Sequence, residues 1–120
     1  MANEEHLAIL QQRVSVWNGW RQENSKVQVD LSTADLGQAL LDGIRLRWAY
    51  LREAQLAGAS LVESDLRIID LSKANLQGAN LRHAQLDGAY LREANLAGAD
   101  LSGASLVGVN FSTGQISNSF

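Results

Sequence analysis

Apolar and polar positions alternate with a period of five residues through most of the chain. From Leu31 to Ile116 every fifth residue is Leu, except Phe111 and Ile116 at the end, which gives 18 repeats in unbroken register. A small or β-branched residue, most often Ala, lies two positions before each of these residues. The other three positions of each repeat are mainly polar or glycine, so each repeat has two inward candidates and three outward ones.

Neither regular secondary structure explains a period of five. A helix advances about 100° per residue, so Leu residues five apart would spread around it and form no stripe. A strand alternates faces with period two, so an odd spacing would send successive Leu residues to opposite faces. A short extended segment followed by a right-angled corner returns both apolar positions to the centre each time. Four such segments close a square coil, and the next coil lies about 4.8 Å away. We therefore predict an all-β solenoid, a right-handed quadrilateral β-helix, over residues 27–120.

The residues that this coil would stack support the prediction. One inward column, taken at every fourth repeat, alternates large and small side chains: Val29, Ala49, Ile69, Ala89 and Val109. Such alternation fills an interior without voids. Glycines such as Gly58 and Gly78 recur at the fifth position of the repeat. We expect them at corners with positive φ, where Gly has no steric penalty.

The repeat resembles the A(N/D)LxX pattern of the pentapeptide-repeat family, and the resemblance covers roughly residues 29–116. It implies the right-handed square β-helix, with Leu or Phe at the centre of each repeat. It does not imply one activity, because most members have no known biochemical role. Some members resemble duplex DNA in size and charge and bind or inhibit DNA gyrase. Members with an uncapped C-terminal end can form two-fold dimers there.

Residues 1–26 lack the repeat and have helical spacing instead. One face of a helix over about residues 4–24 would carry Leu7, Leu10, Val14 and Trp17. Asn3 is a suitable N-cap for it. Open ends of a β-helix invite strand addition, and repeat proteins cover them with atypical terminal segments. We therefore expect residues 1–26 to form a capping helix and linker. A separate partner-binding or membrane-surface helix is the alternative, but the basic face of a membrane-surface helix is missing.

Composition and charge exclude several classes of function. The chain has no Cys, a net charge of −3 and a pI of about 5.2, so we expect no disulfides, no thiolate metal site and no general nucleic-acid binding. A signal peptide and a membrane-spanning run are not apparent, which predicts a cytoplasmic protein without membrane contact. The two histidines, His6 and His83, have no evident catalytic partners. We expect no enzyme activity, no catalytic or metal site and no cofactor.

Outward positions near one corner of the coil form the candidate interaction face. Aligning every fourth repeat gathers the following side chains: Arg47, Trp48, Tyr50, Arg52, Arg67, Tyr90 and Arg92. Arg, Trp and Tyr are enriched at binding hot spots. The alternative is an ordinary solvated surface, on which Tyr residues stack and Arg residues pair with Asp70. A possible dimer end is formed by the apolar residues Phe111, Ile116 and Phe120.

These observations favour a non-enzymatic protein-interaction or scaffold module whose protein partner the sequence does not identify. A DNA mimic that binds DNA gyrase is the alternative. It is the weaker hypothesis because residues 30–120 carry ten acidic and seven basic residues, so the field of the rod would be weak.

Overall fold

The computed structural model describes residues 1–111, in which two short helices precede a stack of square coils. Helix α1 spans Glu4–Leu10 and helix α2 spans Val14–Glu23. The Asn3 side chain caps α1 as predicted, because its Oδ1 accepts the N–H of His6 at 3.0 Å. Neither helix of this part of the chain has the length and apolar character that a bilayer crossing requires.

The prediction of one helix over residues 4–24 was wrong, because the backbone breaks between the two helices. Gln11 closes α1 by donating its N–H to the carbonyl of Leu7 at 3.0 Å. Arg13 is extended, with φ −83° and ψ 154°, and starts α2. The two helices contact adjacent sides of the first coil, which meet at a corner that one straight helix could not follow.

The coils stack in the predicted register, in which each coil takes up four repeats. Parallel bridges join each second position of the repeat to the same position one coil later, from Asp30 with Tyr50 to Tyr90 with Asn110. Within residues 1–111 these bridges are isolated, and no longer strand is formed. The reason is the corner after every side, since two or three extended residues are too few for a continuous ladder. The β-helix therefore consists of single bridges instead of extended strands.

Each corner is a β-turn closed by the central residue of the repeat. The carbonyl of Leu31, for example, accepts the N–H of Ala34 at 3.1 Å, and the same bond recurs along the stack. The fifth position lies in this turn and has positive φ, which confirms the expectation for glycines such as Gly58 and Gly78, both at +68°. Residues with side chains also adopt it, including Trp48 at +66° and Ile68 at +56°. For such bulky residues this backbone conformation is strained.

The interior contains the first and third positions of the repeat. Leu51 and Ala54 are typical, since both have no exposed surface. The column of alternating sizes is buried from Val29 to Ala89, as predicted, while Val109 is half-buried. Ser64 is the one polar side chain that is buried among the described coils, and its Oγ donates to the carbonyl of Leu61 at 2.6 Å.

A hydrogen bond within the repeat explains why Asn and Asp are common at its second position. The Asn75 side chain accepts the N–H of Gln77 at 3.1 Å, and Asp70 accepts that of Ser72 at 3.0 Å. The bond binds the side chain to the backbone two residues later, as Asx-turns do. It satisfies an N–H at the corner that would otherwise be left to water. Outward polar residues thus stabilise the corner itself.

The first coil receives from α1 the hydrogen bonds that a preceding coil would supply. Between stacked coils, a bridge residue such as Tyr50 uses both its N–H and its carbonyl toward the coil before it. Asp30 is the equivalent residue of the first coil. Its N–H donates to His6 Nδ1 at 3.1 Å, and its carbonyl accepts the N–H of Asn3 at 2.8 Å. His6 is buried, so this hydrogen bond is shielded from solvent.

Helix α2 makes the same substitution on the adjacent side. The N–H of Arg45 donates to Asn18 Oδ1 at 2.9 Å, and its carbonyl accepts Trp17 Nε1–H at 2.8 Å. Asn18 also donates to the carbonyl of Gly43 at 3.0 Å. The Trp17 indole is completely buried, with Trp20 at a centroid distance of 5.3 Å. Side chains of α2 therefore take the place of backbone groups at the edge of the stack.

Candidate interaction surface

A pocket of about 410 Å³ lies between the C-terminal half of α2 and the adjacent side of the first two coils. We call it the helix-side pocket. Its lining residues come from both parts of the chain: Arg21, Gln22, Ser25, Arg45, Arg47, Trp48, Asp65 and Arg67. The docking of α2 through Trp17 and Asn18 forms one wall, and the repeats form the other. Four guanidinium groups and one carboxylate thus face the same space.

Arg67 and Asp65 form the strongest ion pair of this pocket. Arg67 Nε donates to Asp65 Oδ1 and Arg67 Nη2 to Asp65 Oδ2, both at 2.8 Å, which is the bidentate geometry. Partial burial works to raise the pKa of Asp65, but the hydrogen bonds and charge of Arg67, with a contribution from Arg47, outweigh it and hold that pKa below its usual range. The carboxylate is therefore charged at neutral pH and neutralises Arg67.

Arg21 is also engaged within the protein. Its Nη1 donates to the carbonyls of Asn24 and Val27, both at 2.7 Å, and ties the end of α2 to the first coil. Burial lowers the pKa of Arg21 from its ordinary value. The guanidinium nevertheless keeps its charge, since arginine does not deprotonate in proteins. Arg21 therefore contributes positive charge to the pocket while its position is fixed.

Arg45 and Arg47 are different, because no residue of the described chain accepts a hydrogen bond or ion pair from either guanidinium. The nearest organised contact is between Arg47 and Trp48, whose ring centroid lies 5.8 Å from the guanidinium carbon. The Trp48 side chain is 56% exposed. The pocket therefore presents two guanidinium groups and one aromatic face to solvent.

Two of the other predicted residues lie in a second, smaller groove of about 260 Å³. Arg52 and Arg92 line it together with Ser72, Lys73 and Glu93. Its charges are partly matched: Arg52 lies 3.7 Å from Asp70, and Lys73 lies 3.8 Å from Glu93. The pairing of Arg52 with Asp70 is the one that the ordinary-surface alternative predicts.

The two predicted tyrosines do not stack. Tyr50 and Tyr90 lie in one column with Asp70 between them, and they are 45% and 47% exposed. The proposed aromatic face is thus interrupted by a carboxylate. Of the predicted dimer end, Phe111 packs partly buried against the core, while Ile116 and Phe120 lie outside the described residues.

Three of the predicted residues, Arg47, Trp48 and Arg67, line the helix-side pocket, and five further lining residues were not among the predicted ones. Arg45 and Asp65 could have been found, since they are four repeats apart and immediately precede Leu46 and Leu66 in the same columns. The three residues from α2 and the linker, Arg21, Gln22 and Ser25, carry no such signal. Their position depends on how the helix docks.

The chemistry available in the helix-side pocket is that of binding. A guanidinium donates hydrogen bonds and stays protonated near neutral pH, so it is unsuited to acid–base catalysis. The one carboxylate, Asp65, is already paired. His6 is buried against Asp30 and Trp20, and His83 lies exposed at a corner above Gly103. Within residues 1–111, no three His, Cys, Asp or Glu side chains come together as a metal-binding group.

Comparison with known proteins identifies the repeat. A family model of pentapeptide repeats matches eight copies over residues 30–67 and 69–112. The crystal structure of the pentapeptide repeat protein Rfr23 from the cyanobacterium Cyanothece 51142 is 37% identical, with a TM-score of 0.69, over 75% of this chain and 58% of that one. The chain thus spans little more than half of that relative's length.

Two further solved structures are similar in sequence, although their TM-scores are low. HetL, a pentapeptide repeat protein involved in heterocyst differentiation regulation from the cyanobacterium Nostoc sp. strain PCC 7120, is 42% identical over 69% of this chain and 43% of that one, with a TM-score of 0.36. QnrB1, a plasmid-mediated fluoroquinolone resistance protein, is 27% identical over 70% and 46%, with a TM-score of 0.38. No curated protein matches the chain significantly.

Proposed function

Because this chain belongs to the pentapeptide-repeat family, whose members fold as right-handed quadrilateral β-helices, we propose that it is a non-enzymatic protein-interaction module. The observation that carries the proposal is the helix-side pocket. There, the guanidinium groups of Arg45 and Arg47 have no hydrogen-bond or salt-bridge partner among the described residues, and Trp48 exposes about half of its surface beside Arg47. Arg and Trp in a recessed site are the residues that dominate binding energy in protein interfaces.

The repeat stack suits such a role because it holds surface side chains at fixed spacing. The backbone of Trp48 donates its N–H to the carbonyl of Arg67 at 3.0 Å, and its carbonyl accepts from Gln28 Nε2 at 2.9 Å. The exposed indole therefore projects from a backbone that is fixed in both directions. Little ordering is needed on binding, which favours affinity.

We propose that residues 1–26 serve as the cap of the N-terminal edge. The hydrogen bonds of Asp30 with His6 and Asn3 support this role on one side of the coil, and those of Arg45 with Asn18 and Trp17 support it on the adjacent side. A covered edge discourages strand addition by other chains. The cap has a second consequence, since α2 also forms a wall of the helix-side pocket.

The charge distribution favours a protein-interaction module over DNA mimicry. A mimic of duplex DNA needs a continuous negative surface, but here the helix-side pocket is positive and arginines interrupt the sides of the rod. We expect no inhibition in a DNA gyrase supercoiling assay at stoichiometric protein. Inhibition at that ratio would replace the present proposal with mimicry.

Affinity capture from a lysate of the source organism tests the proposal. Three forms are compared: the native protein, Arg47→Glu/Trp48→Ala in the helix-side pocket, and Arg52→Glu/Arg92→Glu in the second groove. We expect a protein that the native form and the groove variant retain and that the pocket variant loses. Thermal unfolding of all three forms controls for folding. A partner lost only from the groove variant would place the binding surface at the second groove instead of the pocket. The absence of any specific partner would contradict the proposal.

Self-association through the C-terminal end is a separate proposal. Leu106, Val109 and Phe111 occupy positions of the repeat that are inward-facing, yet they are only partly buried in the last described coil. We propose that a second copy of the chain stacks end to end on this coil and buries the apolar surface, which would stabilise the dimer.

A further inference from the structure

We infer that the helix-side pocket binds an acidic segment of a protein partner, with carboxylates on Arg45 and Arg47 and an apolar side chain on Trp48. This inference rests on the proposed function and specifies the chemistry of the partner. It follows from three features of the pocket: its charge, the availability of its donors and the exposure of its aromatic ring.

The charge of the pocket is opposite to that of the whole protein. Four guanidinium groups face one carboxylate there, whereas the chain as a whole carries a net charge of −3. Positive side chains placed close together repel each other, and an anion between them removes that repulsion. A segment that carries carboxylates is therefore complementary in charge to this pocket.

The donors of the pocket divide into two groups. Arg67 is committed to Asp65, and Arg21 to the carbonyls of Asn24 and Val27. The guanidinium groups of Arg45 and Arg47 donate no hydrogen bond to any side chain or carbonyl of residues 1–111. Each guanidinium offers the planar fork that holds a carboxylate by two hydrogen bonds. The pocket is thus suited to two carboxylates, with the committed pairs as its rigid frame.

Trp48 provides the apolar part of the site. Its backbone has φ +66°, a conformation in which most corners of this stack have Gly or a polar residue, and its indole is 56% exposed. A bulky residue in the left-handed region is strained, and such strain is found at functional positions. An apolar side chain that packs on the exposed part of this ring would remove apolar surface from water.

A short acidic segment fits better than a nucleic acid. A phosphate backbone would continue beyond the pocket onto the surrounding surface, where the remaining residues of 30–120 include nine acidic and four basic side chains. A nucleic acid gains its affinity from many phosphate contacts along a positive track. A peptide can confine its charges to the pocket, whose volume of about 410 Å³ is within the range of ligand sites.

The test uses the full chain and a defined probe, the fluorescein-labelled peptide Gly-Ser-Asp-Glu-Phe-Glu-Gly-Ser, measured by fluorescence anisotropy at low salt. The control peptide has Asn and Gln in place of its acidic residues. The pocket variant is Arg45→Gln/Arg47→Gln. The matched variant, Arg13→Gln/Arg82→Gln, removes the same charge from exposed side chains outside the pocket. None of the hydrogen bonds within the described chain uses the guanidinium of Arg45 or Arg47, so we expect the pocket variant to fold normally.

We expect the acidic peptide to bind, and the pocket variant to weaken its binding by about tenfold or more. The matched variant should change it by less than about twofold, and the amide peptide should not bind. Equal weakening by both variants would mean that only net charge matters and would overturn the inference. The absence of peptide binding would also overturn it. So would binding of inorganic phosphate without the peptide, detected as a change in tryptophan fluorescence that is absent in Trp48→Ala.

The two proposals fail separately. If capture from the lysate is lost in Arg47→Glu/Trp48→Ala but the acidic peptide does not bind, the interaction module stands and the acidic partner is wrong. If neither the capture from the lysate nor the binding of the acidic peptide depends on the pocket residues, both proposals fail.

Discussion

Replacement of Trp17 is the most informative test of how the N-terminal helices support the coils. The indole is fully buried, packs against Trp20 and donates to the carbonyl of Arg45 at 2.8 Å. Trp17→Ala removes all of these contacts, and a buried aromatic truncation costs about 3–5 kcal/mol. Trp17→Phe keeps most of the apolar surface but loses the hydrogen bond, which is worth about 1 kcal/mol. We therefore expect the free energy of unfolding to fall slightly in Trp17→Phe and much further in Trp17→Ala.

The assay combines urea unfolding, followed by circular dichroism, with hydrogen exchange of single amides. In a repeat stack, stability is roughly a sum of contacts between neighbouring units, so damage to one end spreads little. The Arg45 amide, which donates to Asn18, should therefore exchange faster in Trp17→Ala. The amide of Asn95, which donates to the carbonyl of Ala74 further along the stack, should keep its protection.

Trp48→Ala is the matched control, because it removes the same side chain from an exposed position of the same chain. A surface substitution of this kind changes stability by less than about 0.5 kcal/mol. The reasoning is refuted if Trp17→Ala costs less than about 1 kcal/mol and leaves the Arg45 amide protected. In that case α2 would rest on the coils without stabilising them.

Three further predictions concern the corners, the pocket and the C-terminal end. Gly78→Ala should cost about 1 kcal/mol in urea unfolding because φ is +68° there, whereas Gly37→Ala, without positive φ, should cost little. Asp65 has a lowered pKa when folded, so its pairing stabilises the protein above about pH 4 and is lost as the pH falls through the folded value. The difference in free energy of unfolding between the native protein and Asp65→Asn, measured by urea unfolding, should therefore vanish at pH values below the folded pKa of Asp65. Light scattering should detect a dimer, and a monomer at high concentration would exclude it.

The repeat sequence determines most of the fold. A period of five requires a corner in every repeat, and the corner requires positive φ at the fifth position, as observed at Gly58 and Gly78. The inward positions follow from the same period, and Leu51 and Ala54 are buried as predicted. Each contact of this kind recurs in every coil, so the sequence contains its pattern many times. Such redundancy makes the prediction robust to single exceptions such as Ser64.

The candidate site could be predicted only in part, for a related reason. Arg47, Trp48 and Arg67 lie in the repeat, so the register alone brings them together. Their separation from Arg52 and Arg92 was not evident, because the sequence does not indicate that α2 forms a wall on one side of the corner. The helix-side pocket includes Arg21, Gln22 and Ser25, whereas the residues that line the second groove all come from the coils.

Only the tertiary structure decided what the N-terminal residues do. The break between α1 and α2 and the wall that α2 gives to the helix-side pocket depend on contacts such as Trp17 with Arg45 and Asn18 with Gly43, which span 28 and 25 residues and occur once. A periodic contact is written into the sequence as a pattern, because every repeat must satisfy it. A contact that occurs once depends on the shapes of two surfaces that meet only after folding, and no period in the sequence encodes it.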